Sequence, residues 1–180
     1  MRGLLVVALV ALLAWVWSRQ ARAGQSTATT GPTPAPASTT GAQNQALLAD
    51  IMAVAQAEGV PAAVLYGIAA TEQGTPDSAE WNPQAINLSD PYGGAWGLTQ
   101  VLAGTAYGLG YQVPQELLNP VAALTATAKY LRKYSSNVDN FAEDAQLYNA
   151  GPNATFTDTP YIDKVLTYAR AWPTIQRAAA

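Results

Sequence analysis

The chain has 180 residues, enough for one compact domain with little left over. Apolar residues make up 49% of it and charged residues only 12%, and there is no histidine and no cysteine. This excludes a Ser-His-Asp triad, a thiolate nucleophile, disulfides and His- or Cys-based metal sites. No metal and no cofactor is expected, and the 12 acidic residues are the first choice for proton transfer near neutral pH.

The charge is unevenly placed. No basic residue lies between Arg22 and Lys129, and every acid lies at or beyond Asp50. Without Arg2, Arg19 and Arg22 the body has 12 acids against six bases, a net charge of −6. A phosphate-binding surface needs clustered Lys and Arg, so nucleic acid is not an expected partner.

Residues 1–23 read as an export signal or a membrane anchor. Arg2 precedes an unbroken apolar run from Gly3 to Trp17, short for a spanning helix and suited to a signal-peptide core. Ala21-Arg22-Ala23 has the small-x-small form of a cleavage site. Retention is the other reading, with Trp15 and Trp17 at the membrane interface and Arg19 and Arg22 beyond it. In either case the body is expected outside the cytoplasm, either periplasmic or anchored and facing the cell wall. Residues 24–43, rich in Ser, Thr, Pro, Gly and Ala without charge, read as a flexible linker.

Residues 44–180 read as one mainly α domain. Asn44 can cap a helix carrying Leu47, Leu48, Ile51, Met52 and Ala55 at helical spacing, and Gly59 ends it. Pro61 opens a second helix whose Leu65, Ile68, Ala69 and Glu72 share a face, with Gly74 as its stop. From Gly74 to Ala95 runs a long loop rich in Pro, Gly, Asn and Asp, and loops of that length are usually functional. Asn119-Pro120 predicts a cap and first turn for a helix carrying Val121, Leu124, Ala128 and Leu131. A shorter helix is expected from Asn140 to Ala150, stopped by Gly151, and a last one from Pro160 with Ile162, Val165, Leu166, Ala169 and Trp172. Alternating strand patterns are scarce.

Glu72 stands apart, because it falls on an apolar stripe. A buried, unpaired carboxyl prefers its neutral form, and the negative end of a helix dipole adds to that preference. A carboxylic acid kept protonated near neutral pH is what cleavage of a glycosidic bond requires at the leaving oxygen. The plain alternative is a helix-end glutamate turned to solvent.

Three further segments give that residue a context. They are Asn82-Pro83-Gln84-Ala85, then Gly94-Ala95-Trp96-Gly97-Leu98-Thr99-Gln100, then Leu147-Tyr148-Asn149-Ala150-Gly151, with Tyr161 and Val165 beyond. In this order, after a glutamate ending a helix, they resemble the soluble lytic transglycosylase family, relatives of goose-type lysozyme. The resemblance runs from about Pro61 to Arg170. It departs at Gln73, where the family usually has Ser, at Thr99, where it has Met, and at Leu147, where it has Ala. The segments from Glu72 to Asn82 and from Ala85 to Gly94 are also longer than usual.

The resemblance implies a lysozyme-like transglycosylase domain whose partner is the glycan strand of peptidoglycan. It implies cleavage of the β-1,4 bond between N-acetylmuramic acid and N-acetylglucosamine, leaving a 1,6-anhydromuramyl end, with Glu72 as acid and then base. Gln100, Tyr148 and Asn149 match motif positions and are the expected substrate-binding residues, with Asn87 and Ser89 from the loop. Trp81, Tyr92 and Trp96 are candidate stacking faces or a lid over the loop. If Asp77, Glu80 or Asp90 faced Glu72 it could activate water, and the protein would be a lysozyme-type hydrolase. A non-catalytic glycan-binding module is the third reading. A bacterial cell-wall enzyme and a phage virion component both fit.

Overall fold

The structure, a computed structural model, describes residues 41–73, 81–89, 93–157 and 159–179. The export segment and anchor alternative, most of the linker, and Asp77, Glu80, Asp90 and Tyr92 lie outside these residues. Among the described residues no helix is long and apolar enough to cross a membrane.

Helix α1 spans Gly41–Glu58 and starts three residues before Asn44. It buries Leu47, Ile51, Val54 and Ala55, at intervals of four, three and one. Met52, expected on this stripe, is exposed, so the buried face is turned toward Val54. Gly59 takes a positive φ and Val60 N–H closes the helix end on the Ala55 carbonyl, 3.0 Å away. Pro61 then precedes α2, Ala62–Gln73, and its carbonyl accepts from Val64 and Leu65. Every residue from Val64 to Ala70 is buried, which makes α2 the central helix.

A small antiparallel sheet that the sequence does not announce begins inside the expected long loop and continues past its end. Strands β1 (Ile86–Asn87), β2 (Ala95–Trp96) and β3 (Val101–Leu102) lie in that order, with Asn87 opposite Ala95 and Trp96 opposite Val101. Two-residue strands are too short to show a period of two. They lead into α3 (Ala103–Gly108) and a 3-10 turn, Pro114–Leu118. Trp96, Val101, Ala103, Ala106, Leu117 and Ala126 form a minor core beneath the sheet.

The remaining helices follow their sequence signals. α4 spans Pro120–Tyr134, and the Asn119 side chain accepts from Val121 and Ala122 N–H at 2.9 and 3.3 Å. α5 spans Phe141–Ala150, capped by Asn140 and ended at Gly151 with φ +88°. α6 spans Pro160–Ala179. The main core gathers α1, α2, α4, α5 and α6 around Leu65, Ile68, Leu124, Leu131 and Val165. Tyr66 lies at its edge between Trp81 and Trp172, with ring centroids 5.5 and 5.1 Å away.

A close helix–helix approach joins α2 to α6. A Cβ on Gly67 would sit 2.6 Å from the Val165 carbonyl oxygen and 3.4 Å from Ala169 Cβ. The two backbones therefore touch where only glycine fits. The mainly α class is as the sequence indicates, with the sheet as an addition.

Helix α5 carries one buried charge problem. Asp144 is 0% exposed, and neither carboxyl oxygen has a hydrogen-bond partner among the described residues. Burial pushes its pKa up from 3.8 to about 6. The nearby Ser135 hydroxyl, outside hydrogen-bonding geometry with either oxygen, offsets part of this, and the neighbouring acids Glu143 and Asp139 add to it. Asp144 lies in the first turn of α5, where the dipole favours an anion, so here desolvation outweighs the dipole.

Two outcomes follow. Alanine in a helix gains about 1 kcal/mol over glycine, while forcing a methyl into a filled contact costs about 1–3 kcal/mol. Gly67→Ala should therefore lower the urea midpoint, by a net loss on the order of 1 kcal/mol; an unchanged or higher midpoint would contradict the close crossing. For Asp144 the native state holds the proton more tightly than the unfolded chain. Its contribution is fully present below pH 3.8 and is lost as pH rises through about 6. The span amounts to at most about 3 kcal/mol. Asp144→Asn should flatten stability against pH over that window in denaturant titrations, whereas an unaltered slope would assign the pH dependence elsewhere.

Candidate functional site

Glu72 is the penultimate residue of α2, one turn beyond the fully buried Ile68. Burial falls off along that turn, and Glu72 is half-buried rather than sealed into the core. Its Oε1 accepts a 2.8 Å hydrogen bond from the Tyr161 hydroxyl, a residue 89 positions later and the second of α6. The pairing follows from the crossing at Gly67. Moving up α2 from Gly67 to Glu72 corresponds to moving back along α6 from Val165 to Tyr161, so the helices run antiparallel. Tyr161 was not among the expected site residues. Its signals are its place with Val165 beyond the third motif and its spacing of four residues before Val165, on the face of α6 that packs against α2.

The turn from Gly97 to Gln100 forms a second side of the site. Gly97 has φ +75°, and a Cβ there would collide with the Leu117 carbonyl. Its N–H donates to Ala85, and its carbonyl accepts from Gln100 N–H at 3.1 Å. Gln100 closes the turn in the left-handed region, φ +52°, a conformation that costs a side-chain-bearing residue about 1–3 kcal/mol. Its own side chain helps to hold it there: Nε2 donates to the carbonyls of Ala85 and Gly97 at 3.1 and 2.9 Å. Oε1 carries no hydrogen bond among the described residues, so what this amide can offer a ligand is an acceptor.

Thr99 links that turn to the helices behind it. Its carbonyl accepts from the Tyr148 hydroxyl at 2.7 Å, and its own hydroxyl meets that of Thr127 at 2.8 Å, close to the Ala123 carbonyl. Thr127 Oγ1 lies 3.3 Å from Tyr148 Oη. Tyr148 is only 3% exposed, and its ring meets that of Tyr130 edge-on. The Thr for Met departure at position 99 thus supplies a hydroxyl to a buried polar cluster. The sequence reading missed Thr127, which lies on α4 outside every motif.

The other expected residues fall on two surfaces. Asn149 follows Tyr148 on α5; it is mostly buried, and its side-chain amide has no hydrogen bond among the described residues. Asn87 and Ser89 lie at the β1 end of the sheet, where Asn87 Oδ1 accepts from both the Ser89 N–H and the Ser89 hydroxyl. The two form a local Asx turn, joined to Gln100 through the sheet and the Ala85 carbonyl. Of the candidate stacking aromatics, Trp81 and Trp96 are each 8% exposed. Trp81 packs on Tyr66, and Trp96 Nε1 donates to the Gly93 carbonyl, so both belong to the lid alternative.

Chemically, the arrangement offers one carboxyl at a helix end and a hydroxyl that can stay paired with it whether the carboxyl is protonated or not, because a phenol both donates and accepts. The turn and helix linked to it carry neutral amides and hydroxyls. The family model described as the transglycosylase SLT domain matches residues 50–161. No curated protein and no solved structure matches the chain. The family match covers more than half of the sequence, takes in α2, the sheet, the 97–100 turn and α5, and ends on the tyrosine that holds Glu72: the chain belongs to the transglycosylase SLT family.

Proposed function

We propose that this protein is a peptidoglycan lytic transglycosylase, with Glu72 as the group that moves the proton. The observation that carries the reading is the Tyr161–Glu72 hydrogen bond inside an SLT-family domain. Family membership supports peptidoglycan as the substrate class. The finer reaction is our inference.

The Glu72 carboxyl gives its proton to the glycosidic oxygen as the bond from that oxygen to C1 of N-acetylmuramic acid breaks, freeing the 4-hydroxyl of N-acetylglucosamine. The resulting carboxylate takes the proton of the muramyl 6-hydroxyl, and O6 bonds to C1. The acid is regenerated, no water is consumed, and the product is a 1,6-anhydromuramyl end. An intramolecular nucleophile acts at high effective concentration, so a second carboxylate is not needed. Tyr161 keeps the Glu72 carboxyl aimed through both steps. Gln100 Oε1 accepts from a sugar amide or hydroxyl, and the Asn149 amide binds the same strand. Asn87 and Ser89 border it at the sheet end, and Tyr148 supports the site by holding the Thr99 carbonyl. The enzyme works outside the cytoplasm, exported or tethered by residues 1–23, in a bacterial wall or as part of a phage particle.

The test is release of muropeptides from purified sacculi, with products identified by mass spectrometry. Anhydro ends are expected, while reducing ends would make the protein a hydrolase. Glu72→Gln should lower the rate by about 10²–10⁴-fold, the usual contribution of an acid–base group. Equal clearing by both proteins would remove Glu72 from the mechanism and favour a binding module. Tyr161→Phe should cost about tenfold to a hundredfold, since a hydrogen bond to a charged group is worth about 1.5–3 kcal/mol.

A further inference from the structure

Gln73 is a departure from the resemblance, and the structure gives it two partners. Its Nε2 donates to the Leu98 carbonyl at 2.7 Å, and its Oε1 accepts from the Asn82 N–H at 2.9 Å. The partners lie 25 and nine residues away, on separate segments. Leu98 belongs to the turn that presents Gln100 and, through the Thr99 carbonyl, holds Tyr148. Asn82 opens the segment leading to β1, Asn87 and Ser89. The residue immediately before Gln73 is Glu72. One planar amide therefore fastens the acid-bearing helix end to both substrate-facing segments.

The chemistry of the contact is selective. A planar fork that donates from one atom and accepts at another can serve a carbonyl and an N–H on separate segments together; an Asn or Gln amide does so at any pH, and a carboxyl only while it is protonated. Serine, the residue expected here from the resemblance, is too short to span both partners.

We infer that Gln73 is a positioning residue, setting the distance between the Glu72 carboxyl and the strand held at Gln100 and Asn87. The inference deepens the proposed function and rests on it. Loss of the fork lets the helix end and the turn drift apart, and a misplacement of about 1 Å at a reacting centre can cost on the order of 100-fold in rate.

The experiment uses the full chain, wild type against Gln73→Met and Gln73→Glu. It measures anhydro-muropeptide release over a range of sacculus concentrations, from pH 5 to pH 8, well below the melting temperature. Gln73→Met keeps the shape without the hydrogen bonds. It should lower kcat about tenfold or more with KM within about threefold, because the strand is still bound but is misaligned with the acid. Gln73→Glu should be as impaired at pH 8, where the introduced carboxylate repels the Leu98 carbonyl. Relative to wild type it should recover toward pH 5, where the protonated carboxyl again donates to Leu98 and accepts from Asn82. A kcat of Gln73→Met within twofold of wild type overturns the inference. So does a loss confined to KM, or a Gln73→Glu defect that is equal at both pH values. If Gln73→Met fails to fold, the pH dependence of the Gln73→Glu ratio decides alone. Should the wild type release no anhydro ends, the proposed reaction falls first. The clamp is then judged by hydrogen exchange: faster exchange of the Asn82 amide in either variant upholds it, and unchanged exchange overturns it.

Discussion

The site depends on a contact that contains no functional group. Gly67 lets the backbone of α2 rest on the Val165 carbonyl of α6, and no side chain could be inserted there without moving one helix. Because the helices run antiparallel, the same crossing fixes which residues meet one turn away. On one side these are Glu72 and Tyr161, at 2.8 Å. The pair joins positions 89 residues apart, so no local propensity could bring them together. A tight helix contact is stiff, because interiors pack to crystal-like density, and that stiffness is passed to the carboxyl through little more than one turn of helix.

The second half of the site is organised by the backbone of the 97–100 turn. Its four residues need two left-handed conformations, one at a glycine with a carbonyl against it and one at Gln100, where the side chain itself bonds back to the turn. The turn's carbonyls are then taken up from three directions: Leu98 by Gln73, Thr99 by Tyr148 and Gly97 by Gln100. A loop whose acceptors are satisfied by side chains from α2 and α5 holds one shape without belonging to a long strand or helix. The two-residue strands on either side need no stability of their own, since Trp96 and Val101 are anchored in the minor core.

The legible parts of the fold were those with a cap or a stop. Asn119-Pro120, Asn140, Gly151 and Pro160 each mark a helix boundary through a side chain or φ constraint that acts within three or four residues. Such signals survive in a sequence because they are local. What escaped was short or non-local. The three strands and α3 are too brief to carry a period. Met52 was placed on the wrong side of α1 because alanine is ambiguous: with so many in the helix, the stripe could be drawn through either face. Glu72 was singled out by its motif context and its place at the end of an apolar stripe, although its burial was overestimated by one turn. Tyr161, Thr127 and Gln73 were missed as partners because each reaches across the fold to a segment at least nine residues away. Gln73 was visible only as a departure, and a departure does not say what has replaced the lost contact.

The chain has no histidine and no basic residue between Arg22 and Lys129, so the segments that carry Glu72 and Gln100 bring no charged orienting group of their own. The site uses amides and hydroxyls: Gln73, Gln100, Thr99, Thr127, Tyr148 and Tyr161. Under the proposed reaction, in which Glu72 releases and then recovers a proton, the choice has a chemical logic. A lysine or arginine beside Glu72 would favour the carboxylate and weaken it as a donor. A phenol can stay paired with either form, accepting from the acid and donating to the anion, with only a turn of its O–H bond between the two. Neutral hydrogen bonds are also insensitive to ionic strength, whereas charge pairs at a surface are screened within about 10 Å at moderate salt. Asp144 shows what the same fold does to a carboxyl left without such a partner: burial is the largest influence on its protonation, and the Ser135 hydroxyl offsets only part of it. The difference between the two acids lies in the helix contact at Gly67, which gives one of them a tyrosine.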